Sequence, residues 1–595
     1  MRSYGNSKLN PYKREQSIWR KTMMNLRLGS NKGVFVAVFL LSLAISSRVI
    51  SQESYNLAFS TYFGGSDWEH ARDVCADADG NVYICGGTAS RDFPTTPEAY
   101  DRTFNFGDTS GDQCDAFVCK FGPDGRLIWS TYLGGPGYDR AYGIELDTQG
   151  YVYVAGRAGR NFPTTPGAFQ PMFQGYNGGG YGGYQNAFAA KLSPDGSKLV
   201  WASYVGVAQL CRDIAIDMRG DIYLPLGFPN QGILPPSSWF ANAFQKTPKG
   251  GTDCGVVKVS NDGSRVLWAT WLGGSGDDLN AASIRVVRDW KVYVASSTSS
   301  ADFPTTPGAC DRTYNGGTDY FVACLTPDGS DLVYATFLGG SRGEWLSTHN
   351  LAVDDQGNAY VTLQTSSTDY PVTQGVLQRT HGGGNTDCAV TKISPTGALL
   401  SSTYLGGSGT ENADGIYVDF EGNVLVTGQT SSDNFPVTSN AFQMKFGGNN
   451  DAFLVRLNGG LTQLLYSTYL GGTSYDNDRS GFLGQDGSLY VTGSSDGPGW
   501  VVKNAYQATF KGGPGDYGAG DCILAKFTAS GRVGDLNGDF QVDFEDVLLF
   551  ARQWLWHGPA SSIPEDIIAD SIINFPDFAP IAQNWLERWN QHEDY

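Results

Sequence analysis

The chain has 595 residues, 78 of them glycine, and a formal net charge of −19 at pH 7. This length is too great for one compact core, and the glycine content suits many short strands joined by tight turns rather than a helical protein. An acidic surface disfavours nucleic acid and anionic membranes, and it suits a soluble extracellular protein or a cation binder.

Residues 1–51 are predicted to form a secretory signal region. Basic residues such as Arg20 and Arg27 precede an apolar run from Val34 to Ile45. This run is too short to span a bilayer but has the length of a signal-peptide core. We therefore expect a secreted, extracellular protein, either free or associated with the cell surface. A membrane anchor is the alternative for this segment, and no membrane span is expected after signal cleavage.

From residue 52 onward a repeat dominates the chain. A strand that ends in a glycine turn, two glycines in all copies but the third, recurs seven times at intervals of about 65 to 72 residues. The copies begin at Thr61, Thr131, Ser203, Thr270, Thr336, Thr403 and Thr468. A fixed period indicates one structural unit that is copied and stacked, because such a unit cannot bury its apolar face alone.

Each unit contains four strand candidates. A turn such as Asp79-Gly80 leads to a β-branched and aromatic segment such as Asn81–Cys85, as expected of a strand. The motif Phe93-Pro-Thr-Thr-Pro97 follows, and its prolines exclude a central strand, so we expect a long ordered connection there. Four short antiparallel strands at this period are typical of one propeller blade.

The two ends of the repeat region complement each other. The first strand, Leu57–Tyr62, has no blade before it, and the last segment, Cys522–Lys526, has no first-type strand after it. Pairing the two would close a ring and remove two exposed strand edges. The sequence therefore predicts an all-β, seven-bladed β-propeller over residues 52–533.

The order of these motifs resembles the SBBP family of bacterial β-propeller repeats. The Thr-Tyr-Leu-Gly-Gly strand end and the Phe-Pro-Thr-Thr-Pro loop carry the resemblance, which covers roughly residues 54–530. The resemblance implies a propeller fold but no particular activity. The third unit departs from the pattern, since Ser203-Tyr-Val-Gly-Val207 lacks the second glycine.

The chain holds ten cysteines, and export would permit disulfides. Cys254, Cys388 and Cys522 hold one position in three different units, so they are not expected to pair with one another. Cys75 and Cys85 flank one turn and could face each other across a hairpin. The alternative is that both are small buried apolar residues.

Composition changes after Arg532, and residues 534–595 predict a pair of calcium loops, each followed by a helix. Oxygen donors stand at positions 1, 3, 5, 7, 9 and 12 of the first loop, the spacing that wraps calcium. They are Asp535, Asn537, Asp539, Gln541 through its carbonyl, Asp543 and Asp546. A copy 31 residues later holds Asp566, Asp570, Asn574 and Asp577, with Ile568 in place of the donor at position 3. We therefore expect a firm first site and a weaker second one.

Two such loop-helix units resemble a type I dockerin, a small α-helical, EF-hand-like module. The resemblance covers about 60 residues and implies calcium as cofactor and a cohesin-type protein as partner. Through that partner the host is attached to a complex or a cell surface, commonly for polysaccharide breakdown. The family's recognition positions correspond here to Phe544, Glu545, Phe575 and Pro576, where the family often has Ser-Thr.

No recognised catalytic motif occurs: the five histidines form no metal-binding pair, and the chain lacks a nucleophile elbow and a phosphate loop. The loops after the glycine turns do carry acids, which could lie beside aromatic residues. These acids are Asp67, Asp139, Asp277, Asp278, Glu344, Glu411, Asp476 and Asp478. Two close carboxylates could hydrolyse a glycoside. Recurrence in six blades favours turn chemistry, with ligand or ion binding second and catalysis third.

Together these features predict a secreted, non-catalytic propeller that presents a binding face, for example to a glycan, and docks through its calcium-dependent module. One alternative is a dockerin-bearing carbohydrate-active enzyme that degrades polysaccharide at the propeller face. Another is a structural surface protein whose C-terminal pair is only a calcium clamp. One deep pocket with an acid pair would favour the enzyme, whereas a similar rim in all blades would favour binding or structure.

Overall fold

Seven antiparallel sheets make up the part of the chain that the computed structural model describes. The described residues are 53–105, 113–177, 183–208, 210–229, 234–278, 283–287, 290–345, 348–484, 486–513 and 520–530. The predicted signal region (1–51) and the predicted calcium loops (534–595) lie outside them. Within the described ranges, no helix is long and apolar enough to cross a membrane.

Each sheet is one blade with four main strands, whose innermost members face one another around the centre of the ring. From inside to outside, blade 1 has Glu69–Ala76, Val82–Thr88, Asp115–Phe121 and Leu127–Leu133; blade 2 has Arg140–Leu146, Val152–Ala158, Tyr184–Leu192 and Leu199–Tyr204. Blade 3 has Ala215–Ile216, Ile222–Pro229, Thr252–Val259 and Val266–Leu272; blade 4 has Ser283–Val286, Val292–Thr298, Asp319–Leu325 and Leu332–Leu338. Blade 5 has Glu344–Trp345 with Leu351–Val353, then Ala359–Thr365, Asp387–Ile393 and Leu399–Leu405; blade 6 has Glu411–Val418, Val424–Thr430, Asp451–Leu457 and Leu464–Leu470. Blade 7 has Asp476–Leu483, Leu489–Ser495, Asp521–Ala529 and Tyr55–Phe63, while the two-residue strand Tyr176–Asn177 joins blade 2 and the 3-10 helix Ser237–Phe240 lies in blade 3.

Blade 7 closes the ring with strands from both ends of the repeat region. The strand Tyr55–Phe63 pairs antiparallel with Asp521–Ala529, so that Leu57 stands opposite Phe527 and Tyr62 opposite Ile523. The predicted closure and the predicted number of blades are therefore confirmed. Closure covers the edge of Asp521–Ala529, and Tyr55–Phe63 becomes the outermost strand of the blade.

The tyrosine of the Thr-Tyr-Leu-Gly-Gly motif fastens the proline loop to its blade. In blade 2, the Tyr204 hydroxyl accepts a hydrogen bond from Phe162 N at 2.9 Å and donates one to Gly159 O at 2.8 Å. The Phe162 ring packs on Phe188, with ring centroids 4.4 Å apart. Tyr469 repeats the arrangement in blade 6. The long ordered connection is confirmed, and burial of each ring stabilises the blade by about 2 kcal/mol.

In blades 1 to 5, a glycine turn packs the blade against its neighbour. In the Pro-Asp-Gly turn of blade 2, Gly196 has a φ of +68°. A Cβ added to Gly196 would lie 2.5 Å from the ring of Trp129, on the outer strand of blade 1. Trp129 Nε1 also donates a hydrogen bond to Pro194 O at 3.1 Å. Glycine is required at this turn both for its backbone conformation and for the close approach of the indole.

The cysteines behave as small buried residues. All ten thiols are free, and only Cys310 is exposed. Cys75 stands opposite Tyr83, and Cys85 stands opposite Asp73. The hairpin therefore does not bring the two sulfurs face to face, and the suggested disulfide is wrong.

Candidate functional site: the rim and the central channel

The acids after the glycine turns cap those turns instead of lining an open cleft. In six blades a fully buried carboxylate accepts a hydrogen bond, of 2.6 to 3.2 Å, from the N–H of the glycine four residues before it. The pairs are Glu69 with Gly65, Asp139 with Gly135, Asp278 with Gly274, Glu344 with Gly340, Glu411 with Gly407, and Asp476 with Gly472. We call these six acids the rim caps. The turn role that recurrence favoured is confirmed for five predicted acids, and Glu69 joins them.

A second buried carboxylate lies beside each rim cap. It belongs to the first aspartate of the third strand in the preceding blade, which is Asp115, Asp253, Asp319, Asp387, Asp451 or Asp521. At Gly64, an added Cβ would lie 2.2 Å from Glu69 Oε2 and 2.4 Å from Asp521 Oδ1. The two carboxylates thus meet over the first glycine of the turn, and each pair joins two neighbouring blades.

Burial and mutual repulsion raise the pKa values of these paired acids. The pKa of Asp115 is raised to about 9, first by burial and then by Asp139. Burial raises the pKa of Asp139 to about 7 and that of Glu69 to about 8. Asp115 is therefore protonated at neutral pH, so that blades 1 and 2 do not hold two buried negative charges side by side.

Such raised pKa values also occur in the general acids of glycoside hydrolases. A glycosidase, however, needs two carboxylates that flank an accessible bond. Among the described residues, the raised pairs are buried beneath turns and recur around the ring. Of the other predicted rim acids, Asp67 and Asp277 are exposed and accept hydrogen bonds from Trp68 N and Thr252 N, while Asp478 is fully buried.

His349 crosses the centre of the propeller from blade 5. Its Nε2 lies 3.1 Å from Tyr142 O of blade 2 and 3.6 Å from Asp73 Oδ1 of blade 1, and its Nδ1 lies 3.4 Å from Asp213 Oδ1 of blade 3. Burial lowers the pKa of His349, but Asp73 and Asp213 outweigh burial and raise it above its ordinary value. We call this arrangement the histidine brace.

The histidine brace has the composition of a metal site but is already satisfied. Asp73, Asp213 and His349 offer ligand atoms that lie within 4.8 Å of one another. Asp73 accepts hydrogen bonds from Ile144 N and from a serine hydroxyl of blade 7, while Arg285 Nη1 lies 2.7 Å from Asp213 Oδ2. The imidazole of His349, between two engaged carboxylates, completes a polar network that ties blades together across the channel.

In four of the described blades one residue bulges from the inner strand beside the central channel, the space that the inner strands enclose. The strand registers shift at this point in blades 1, 2, 6 and 7. Arg212 and His349 hold the same place in the repeats of blades 3 and 5. The described members, which we call the bulge ring, are Arg72, Tyr142, Arg212, His349, Asp414 and Arg479. They make contacts between blades, for example Arg479 Nη1 at 3.3 Å from Asp414 Oδ1.

Comparison of the repeats did not predict the bulge ring, because its members differ from blade to blade. A signal was present in the sequence, since Arg72, Arg212 and Arg479 are arginines inside strand segments that otherwise turn toward the core.

The predicted calcium ligands and recognition positions between Asp535 and Asp577 fall outside the described residues, so the structure does not test them.

Two segments of the chain, residues 128–163 and 402–436, match the family model described as Beta-propeller repeat (SBBP). No curated protein matches the chain. Solved structures with a similar fold include the WD40 β-propeller domain of Doa1, with 11% identity and a TM-score of 0.37, covering 80% of this chain and 97% of that chain. A protein of unknown function from Dyadobacter fermentans shows 11% identity and a TM-score of 0.38, covering 80% and 100%. The Neurospora crassa Pan2 WD40 domain shows 8% identity and a TM-score of 0.38, covering 81% and 98%. The chain thus carries SBBP-type repeats within a seven-bladed propeller.

Proposed function

We propose that this protein is a secreted, non-catalytic propeller that binds a glycan at its face and is attached to a complex or a cell surface by a calcium-dependent, dockerin-like module. The observation that carries the non-catalytic part is the burial of the rim caps. An acid that holds its own turn together in six blades is committed to folding. The bulge ring, in contrast, has four kinds of side chain at its six described positions, and a site for one particular ligand requires such differences between blades.

The attachment part of the proposal rests on the duplicated loops at residues 534–595. Asp535, Asn537 and Asp539 begin the more complete calcium loop, and Ile568 removes a donor from its copy. Calcium binding would order the two helices and present Phe544 to a cohesin-type partner. Glycan binding would not depend on these loops, because the proposed ligand is held by the propeller.

The test passes the full chain over immobilised cohesins and over a panel of polysaccharides, with calcium or with a chelator. We expect retention on cohesin that needs calcium. Asp535→Ala should abolish most of the retention, and Asp566→Ala should reduce it less, because that loop already lacks one donor. Calcium-independent retention, or an equal loss in both variants, would contradict the proposed attachment.

The same panel tests for turnover. Binding without release of reducing ends is the expected result. Release of reducing ends that disappears in Asp277→Ala, a variant of an exposed rim acid, would contradict the non-catalytic proposal. Asp433→Ala, which removes another exposed aspartate, is the matched control.

A further inference from the structure

Four arginines surround the Tyr142 side chain between the rim and the histidine brace. The guanidinium carbons of Arg72, Arg140 and Arg157 lie 5.0, 5.6 and 5.7 Å from the centre of the Tyr142 ring. Arg212 holds the bulge position of the next blade and also acts on the pKa of Tyr142. We call these four side chains the arginine cluster. It belongs to blades 1, 2 and 3.

The arginine cluster is short of acceptors. The Nε atoms of all four side chains, and Nη2 of Arg140, are buried and have no hydrogen-bond partner among the described residues. Nor does any described carboxylate oxygen lie within 4.0 Å of their nitrogens. Other inner-strand arginines are paired, because Arg285 lies 2.7 Å from Asp213 and Arg479 lies 3.3 Å from Asp414. The shortage therefore concerns this cluster and not the channel as a whole.

Charge without a partner makes the cluster attractive to anions. Burial and the neighbouring Arg140 guanidinium lower the pKa of Arg72, yet a guanidinium keeps its proton throughout the physiological range. Burial raises the pKa of Tyr142, but Arg157, Arg140, Arg72 and Arg212 outweigh burial and lower it to about 7. The local potential thus favours negative charge, in a chain whose net charge is −19.

We infer that the arginine cluster binds an oxyanion, namely a carboxylate, sulfate or phosphate group, at the mouth of the central channel. The planar guanidinium fork matches such groups and forms strong, charge-assisted hydrogen bonds with them. Arg72, Arg157 and Arg212 are only partly buried, so their side chains reach solvent. Asp73, next to Arg72, and the backbone oxygen of Tyr142 both contact His349, so the histidine brace lies directly beside the arginine cluster.

The surroundings of the cluster suit an oxyanion carried by a saccharide. The Trp68 ring lies 5.6 Å from the guanidinium carbon of Arg140. Aromatic faces beside arginines offer stacking and cation–π contacts to a ring that bears an acidic group. This inference rests on the proposed binding function of the propeller face and assigns its ligand class.

The experiment measures anion binding to the full chain by calorimetric titration and by thermal unfolding at constant ionic strength. The probes are sodium sulfate, sodium glucuronate and an oligomer of galacturonate, with sodium chloride as the reference. Arg72→Gln and Arg212→Gln should each weaken binding about tenfold, the loss of one charge-assisted hydrogen bond. Arg126→Gln removes an exposed arginine from the outer part of blade 1 and should bind like the unaltered chain. Because sulfate also stabilises proteins by exclusion from their surface, the difference between chains is the readout.

Tighter binding of the galacturonate oligomer than of glucuronate or sulfate would assign the oxyanion to a saccharide chain, and equal binding would assign it to a free anion. Both results support the oxyanion site. Equal affinity of all four chains for every probe, or no binding at all, would overturn it. If the oxyanion site is refuted but both arginine variants still bind a neutral glycan, the proposed function is retained. Release of reducing ends would contradict the proposed function and leave sulfate binding unaffected.

Discussion

The rim caps and the bulge ring are built on the same inner strands, only a few residues apart, and they follow opposite rules. At the rim, one chemical solution recurs in six blades, with a buried acid four residues after the turn glycine that it caps. In the bulge ring, the side chain is arginine, tyrosine, histidine or aspartate according to the blade. The rim cap, which every such blade needs in order to fold, recurs, whereas the residue at the bulge position varies between blades.

The two regions also differ in how their charges are compensated. Each rim cap accepts a hydrogen bond from a backbone N–H, and burial raises the pKa values of Asp115 and Asp139, which favours the neutral form. The bulge ring has ion pairs on one side, at Arg479 and Asp414. On the other side stands the arginine cluster, which lacks acceptors in the described part of the chain. Buried polar atoms without a partner occur in both regions, as carboxylate oxygens such as Asp115 Oδ1 and Asp476 Oδ1 at the rim and as guanidinium nitrogens in the arginine cluster.

The largest expected effect comes from opening the ring that carries both regions. Deletion of residues 54–63 removes the strand Tyr55–Phe63 and exposes the edge of Asp521–Ala529. We expect loss of the soluble monomer through edge-to-edge association. Size-exclusion chromatography and calorimetry check this, with a chain that lacks only residues 1–51 as control. A monomer with unchanged melting would contradict the role of closure.

Removal of one rim cap should cost less than opening the ring. In Glu411→Ala, Gly407 N, Thr430 Oγ1 and Ser432 Oγ lose their acceptor. Buried donors left without acceptors cost about 1 to 3 kcal/mol each, partly offset by relaxation, so we expect the free energy of unfolding to fall by about 3 kcal/mol. Urea unfolding measures it, and Asp433→Ala is the exposed control, with an expected change below about 0.5 kcal/mol. Equal effects in the two variants would show that the caps do not hold the turns.

The raised pKa of Asp115 predicts a pH dependence whose size per pH unit is smaller than this loss. The folded pKa of Asp115, about 9, lies above the unfolded value near 3.9. At pH values between these two, the native state therefore keeps a proton that the unfolded state has lost. The contribution is fully present below the unfolded pKa and is lost as the pH rises through the folded pKa. Asp115→Asn should therefore flatten the decline of Tm between pH 5 and 9. In the unaltered protein, the free energy of unfolding falls by up to about 1.4 kcal/mol per pH unit in this range. Parallel curves for the two proteins would contradict the buried acid pair.

The smallest effect, and the one of opposite sign, is expected in the arginine cluster. In chloride buffer, Arg72→Met removes a partly buried charge that has no counter-ion among the described residues, so stability should stay unchanged or rise by about 1 kcal/mol. Arg479→Met breaks the ion pair with Asp414 and should lower the free energy of unfolding by about 2 kcal/mol. The two variants remove the same side chain from neighbouring blades, and urea unfolding compares them. A similar loss in both would mean that Arg72 has a partner within the fold.

The sequence by itself determined the period, the number of blades, the closure between Leu57–Tyr62 and Cys522–Lys526, and the ordered proline loops. These features depend on residues that are close in one repeat or that match between repeats. The predicted signal region, the calcium ligands from Asp535 to Asp577 and the cohesin partner stay predictions, since they lie beyond the described residues.

Only the tertiary structure decided the contacts that unite different blades. Asp115 and Asp139 come from neighbouring blades, and the histidine brace joins Asp73, Asp213 and His349 from three. The sequence placed the acids near the turns but did not show that they are buried beneath them. The physical reason is that a bulged residue in the inner strands of blades 1, 2, 6 and 7 leaves the regular pairing of its sheet, and there it meets partners that are far apart in the chain.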